Sequence, residues 1–181
     1  MRKTLLLFTT MALALLLAAG TAWAALPAPT VVSTVPPSPV TTPPTPPTGV
    51  DPNANITATF SEAMSTKSLG ICNHCTSTSS STTFYLLRGN FTALSPTKNP
   101  PRFCTNTATG TTAPCPTPIL ATVSYNADTK TATLNPSSTL VAGNTYTAVV
   151  EGTADGDYVA VKDADGTPMA TDYIFHFTTA P

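Results

Sequence analysis

The residues with chemistry to offer in this sequence are four cysteines, two aspartate-bearing turns, one strand histidine and one isolated glutamate. Cys72-Asn73-His74-Cys75 has the CxxC spacing of thiol–disulfide oxidoreductases, in which a helix N-terminus lowers the pKa of the first thiol. Here the motif lies in a Ser/Thr-rich stretch with no βαβ pattern beside it, so that activating device is missing. Haem attachment needs His directly after the second Cys, and Thr76 stands there. A zinc site wants a second CxxC pair, whereas Cys104 and Cys115 are eleven apart. The expectation is structural disulfides formed in an oxidising compartment. Four cysteines allow three pairings. Cys104–Cys115 closing a long loop would leave Cys72–Cys75, and the crossed pairings that staple two loops together stay open.

Asp155, Asp157, Asp163 and Asp165 offer hard oxygen ligands of the kind calcium takes. The further ligands of an EF-hand and its Glu at position 12 are absent, and Asp and Gly are ordinary turn residues. A low-affinity structural calcium site is the most they predict, and no other cofactor is expected. Glu62 has no second carboxylate near it in sequence, and glycosidase chemistry needs a pair. Its expected role is to accept backbone amides in the turn leading to Met64. His176 stands between Phe175 and Phe177 and therefore points to the opposite face of its strand, with no nucleophile signature nearby. No catalytic residue, and so no enzyme, is expected. Tyr85, Phe91 and Phe103 fall outside the core phase; as an exposed platform they could stack on the apolar faces of sugars.

The elements that must hold these residues begin after an export signal. Arg2 and Lys3 precede an apolar stretch, and Ala22-Trp23-Ala24 supplies small residues for cleavage after Ala24. Thr9, Thr10, Gly20 and Thr21 interrupt the roughly 20 apolar residues that a membrane anchor requires. No Cys follows the run, which closes the lipoprotein route. Without residues 1–24 the chain keeps six basic against nine acidic residues, near −3. That balance argues against nucleic acid, which needs a dense Lys/Arg surface. The charged fraction is 9%, far below the usual quarter, and Thr, Ser, Asn and Pro take its place.

Residues 25–52 hold ten of the 19 prolines and read as an extended, polyproline-like spacer. The Val/Thr alternation near 30–35 could instead be an edge strand. From 53 to 181 the period is two. Ile56, Ala58 and Phe60 share a face. Phe84–Leu87, Ala121–Tyr125, Ala132–Leu134, Tyr146–Val150, Tyr158–Val161 and Tyr173–Phe177 make further strands. Asn126–Lys130, Gly143-Asn144 and Asp163–Gly166 supply turns. Seven short strands without a helical period predict a two-sheet sandwich. The Cys-bearing stretches, about 65–81 and 89–118, read as loops projecting from it.

Read in order, Asn55-Ile56-Thr57-Ala58-Thr59-Phe60-Ser61-Glu62-Ala63-Met64, Thr83-Phe84-Tyr85-Leu86, Val123-Ser124-Tyr125-Asn126, Ala132-Thr133-Leu134-Asn135-Pro136, Thr145-Tyr146-Thr147-Ala148, Val161-Lys162-Asp163-Ala164-Asp165-Gly166 and Phe175-His176-Phe177-Thr178-Thr179 resemble the bacterial Ig-like domain named after the S-layer protein SbsA. Two positions depart from that pattern: Phe175 stands where Trp is usual, and Thr167 where Asn follows the turn Gly. Both concern packing and turn chemistry. The resemblance implies an all-β, immunoglobulin-like Greek-key sandwich used as a structural, surface-layer or adhesion module. The expected product is an exported, non-catalytic module in the periplasm, at the cell surface or outside the cell. Its partner would be an envelope or extracellular protein or glycan, with a polysaccharide-binding accessory domain as the alternative and a secreted CxxC oxidoreductase as a remote one. Thr-rich edge strands leave self-association open.

Overall fold

The computed structural model describes residues 27–38, 45–70, 83–94, 103–106, 109–153 and 160–181. All regular structure within them is β. The strands are β1 (Val31–Val35), β2 (Ile56–Phe60), β3 (Phe84–Arg88), β4 (Phe91–Leu94), β5 (Phe103–Asn106), β6 (Thr112–Pro114), β7 (Ala121–Asn126), β8 (Thr131–Pro136), β9 (Thr145–Val150) and β10 (Tyr173–Thr178). They form three antiparallel sheets, ordered β1-β2-β8-β7, β10-β9-β3 and β4-β5-β6.

The first two sheets enclose the main core. Period-two patterning decides what enters it. Ile56, Ala58 and Phe60 of β2 and Ala132 and Leu134 of β8 face Phe84, Leu86, Tyr146, Ala148, Val150, Phe175 and Phe177 from the opposing sheet. Thr57 and Thr59 turn away, and Thr59 shares a 3.0 Å hydroxyl contact with its cross-strand neighbour Thr131. Tyr146 and Phe177 stack with centroids 5.6 Å apart, a pairing that adds about 0.5–1.5 kcal/mol to the burial itself. The two core tyrosines also satisfy backbone donors. Tyr146 Oη accepts from the Val141 amide at 2.8 Å, and Tyr125 Oη accepts from the Met64 amide at 2.8 Å. The amide at the end of the turn that carries Glu62 is thus capped by a phenol reaching across from β7.

β3 and β9 differ from the other strands in being buried on both faces. Phe84 and Leu86 point into the main core, whereas Tyr85 and Leu87 join Val149 and Cys104 in a second, smaller cluster. A strand covered on both sides must be apolar almost continuously, and Phe84-Tyr85-Leu86-Leu87 meets that need. The covering layer is the small β4-β5-β6 sheet. The stretch 89–118, expected as projecting loop, thus contributes a third layer.

β1 lies inside the Pro-rich stretch and pairs antiparallel with β2, Thr34 facing Ala58 and Val35 facing Thr57. Farther along, the Thr178 amide donates to the Pro47 carbonyl, and Val50 bridges to Thr179. Described parts of that stretch are accordingly fastened to both sheets and do not form a free spacer. Of the strand expected over 158–161, Tyr158 lies outside the described residues. Val161 bonds Glu151 through its amide and Met169 through its carbonyl, ahead of the 163–167 turn. The β7–β8 hairpin closes through Asn126 Oδ1, which accepts from the Asp128 and Thr129 amides, and Lys130 takes the left-handed conformation at φ 52°.

Candidate functional site

The third layer is the feature that distinguishes this sandwich from a plain two-sheet one, and it gathers several of the residues singled out in the sequence. It starts at Gly89, whose φ of 123° lies in the region that favours glycine. A Cβ there would stand 2.8 Å from the Phe91 ring, so only glycine lets the chain fold back so tightly. The backbone of Phe91 is then clamped from both sides. Thr147 Oγ1, fully buried on the outer face of β9, accepts from the Phe91 amide at 3.1 Å and donates to the Gly89 carbonyl at 2.7 Å. His176 on β10 meets the Phe91 carbonyl through Nε2 at 2.8 Å. A carbonyl only accepts, so Nε2 carries the proton in this contact. The strand histidine holds a backbone; it is not a base facing an open cleft.

From β4 the layer continues to β5 and β6, with Cys104 opposite Ala113 and Thr105 opposite Thr112. The structure joins Cys104 to Cys115, with Cα atoms 4.9 Å apart. Cys104 is 2% exposed and packs with Tyr85, Leu87 and Val149, while Phe91, Cys115 and Ile174 flank the cluster. β6 forms the far rim, and Thr112, Ala113 and Pro114 are all exposed.

This arrangement alters the expected aromatic platform. Tyr85 is 6% exposed because its side chain fills the space between layers, and Phe91 is half-buried beside it. Phe103 contributes its backbone to β5, and its side chain lies outside the described residues. Tyr85 is therefore not part of an exposed stacking surface. Alternation along β3 assigns Tyr85 to the face opposite the main core, and the third layer covers that face in place of solvent.

Cys72, Cys75, Asp155 and Asp157 lie outside the described residues. Asp163 is 2% exposed, and its Oδ1 accepts from the Thr167 amide at 2.7 Å within its own turn. Its Oδ2 is buried without a hydrogen-bond partner among the described residues. Asp165 is exposed. Among the described residues no three His, Cys, Asp or Glu side chains come together as a cation site. Two shallow depressions lie among the described residues. One of about 180 Å³ is bordered by Asn53, Asn135 and Ser137, and one of about 120 Å³ by Pro29, Val31 and Tyr173. No helix among the described residues is long and apolar enough to cross a membrane.

A pair of antiparallel sheets packed over a main core, with the chain alternating between them, defines an immunoglobulin-like domain. The match to a family model is direct: residues 27–179 fit the bacterial Ig-like domain, and the chain belongs to that family. Among solved structures it is similar to the S-layer protein SbsC, at 20% identity and a TM-score of 0.43, over 85% of this chain and 14% of that one. It is also similar to PcoC, a methionine-rich copper resistance protein from Escherichia coli, at 16% identity and a TM-score of 0.47, over 84% of this chain and 99% of that one. The chain thus spans about a seventh of the S-layer structure it matches. None of the curated proteins matches it.

Proposed function

We propose that this chain is an exported, non-catalytic Ig-like module that presents its disulfide-stapled third layer to a macromolecule at the cell envelope or outside the cell. The observation that carries the reading is the extra sheet itself. A module that served only as a spacer has no need to cover β3 and β9 and then fasten the cover with Thr147, His176 and a Cys104–Cys115 bond. Such investment in a rigid outer layer fits a surface that must keep its shape while something binds to it. Family membership agrees with a non-enzymatic role. The exposed, uncharged β6 rim suits a neutral protein or glycan surface better than a nucleic acid. Tyr85 is unavailable for stacking, which weakens the polysaccharide alternative.

The test immobilises the oxidised chain and exposes it to the producer's envelope and secreted fractions. It is run in parallel with a variant carrying Thr112→Asp and Ala113→Lys on the β6 rim. Retention of a protein or glycan by the parent, lost in the variant, supports the reading. Retention unchanged by the variant moves the binding surface away from the third layer, and no retention at all leaves a passive module.

A further inference from the structure

Sheet edges expose unpaired backbone groups, and exported β-proteins blunt them with bulges, prolines, charges or covering segments. Nearly every edge among the described residues here carries such a device. β1 contains a bulge between Val31 and Ser33 and runs directly into Pro36, which has no amide to offer. β10 is covered at Thr178, whose amide and carbonyl bond Pro47 and Val50. β3 is met at Leu86 by the Ile119 amide and ends on Arg88. In the third layer, β4 has a bulge between Phe91 and Ala93, and β6 stops at Pro114 after three residues.

β7 is the exception. Its pairing with β8 runs without a bulge from Ala121 opposite Pro136 to Asn126 opposite Thr131. The Ser137 amide donates to the Leu120 carbonyl, which sets the phase of the ladder. Residues 122, 124 and 126 therefore turn their backbone groups toward β8, and Ala121, Val123 and Tyr125 turn theirs outward. No described residue takes those outward groups. The side chains of the same three residues face the main core yet remain half-buried, and Leu120 beside them is 54% exposed. No Lys, Arg, Asp or Glu occurs between Arg102 and Asp128, so the strand itself carries no charged guard.

We propose that β7 is an interface for a second copy of this chain, pairing antiparallel with β7 of the partner about a two-fold axis through Val123. This inference stands independently of what the third layer binds. An uncharged edge is complementary to itself, since a two-fold contact sets each residue against another from the same strand. Pairing centred on Val123 sets Ala121 opposite Tyr125 of the partner subunit, so every outward amide and carbonyl of the three residues gains a ladder bond. On the outer face Thr122 comes opposite Ser124 of the partner subunit, and the half-buried apolar rim is closed by its counterpart. The two four-stranded sheets then merge into one.

That register makes the test specific. The chain is produced by export, with its cysteines oxidised, and its mass is followed by light scattering from micromolar to millimolar concentration. The mass is expected to double with concentration. Thr122→Lys with Ser124→Lys changes two exposed positions and sets Lys against Lys across the axis, so the doubling should be lost. Thr122→Lys with Ser124→Glu sets Lys against Glu of the partner subunit and should restore it. Thermal melts of both variants report whether the monomer remains folded. A parent that stays monomeric at every concentration overturns the proposal. So does a dimer indifferent to the Lys/Lys pair, or failure of the Lys/Glu pair to rescue in a folded variant.

Discussion

Replacing Thr147 by Val tests whether the third layer is held by a specific clamp or merely rests on an apolar face. The substitution preserves the shape and strand preference of the side chain, and it removes only the hydroxyl. In the native structure that hydroxyl is buried, accepts from Phe91 and donates to Gly89. Its loss leaves one amide and one carbonyl without that partner. A buried polar group left unsatisfied costs roughly 1–3 kcal/mol. Gly89 and Phe91 are only half-buried, so water recovers part of this, and the combined loss should be about 2 kcal/mol. For a domain of this size that corresponds to a fall in Tm of roughly 8 °C. Thr147→Ser keeps both hydrogen bonds and removes one methyl group, which costs about 1 kcal/mol. The assay is urea unfolding of the parent and both variants, with amide exchange at Phe91 as the local readout. Valine should be the less stable of the two, with Phe91 protection reduced selectively. If valine proves as stable as serine or more so, the clamp contributes nothing and the layer is held by Tyr85, Leu87 and Val149 alone.

Other consequences can be checked by the same means. Tyr125→Phe removes the acceptor of the Met64 amide and should cost about 1–2 kcal/mol in urea unfolding. Gly152→Ala drives a Cβ into the Thr171 backbone. Overpacking against a main chain that cannot yield should destabilise by at least about 2 kcal/mol, visible as a lowered Tm. Replacing Cys104 and Cys115 together by Ala opens a closed loop of separation 11. It should cost roughly 2–3 kcal/mol and raise amide exchange in β5 and β6 more than in β2 or β8.

The strands that alternate cleanly were legible because one of their faces meets a core and the other meets water. Ile56-Thr57-Ala58-Thr59-Phe60 and Thr131-Ala132-Thr133-Leu134 state both faces in their residue types, and the structure places them accordingly. β1 was visible only as a Val/Thr alternation within proline, since an edge strand buries little and its composition follows its turns. The third layer escaped notice for a related reason. β4, β5 and β6 have four, four and three residues, too few for a period to emerge from Thr and Pro. Their small shared core is built chiefly by the sheet beneath them.

The signal that could have revealed that layer lay in the strands it covers. Phe84-Tyr85-Leu86-Leu87 and Tyr146-Thr147-Ala148-Val149-Val150 are too continuously apolar for strands with one wet face. Counted from one core, the alternation sends Tyr85 to solvent. Counted from two, the same residue belongs to the second cluster, and Thr147 becomes a buried polar group on a largely apolar outer face, placed to clamp one layer to the other. β7 is the reverse case. Its alternation of half-buried and exposed positions states one core face and one wet face, as expected, and says nothing about the strand's free edge. Edge pairing is made by backbone groups that every residue type shares, so sequence registers it only through the guards that are present or missing. Between Arg102 and Asp128 the charged guards are missing, and in the structure that uncharged run includes the one uninterrupted strand whose outward amides meet no described partner.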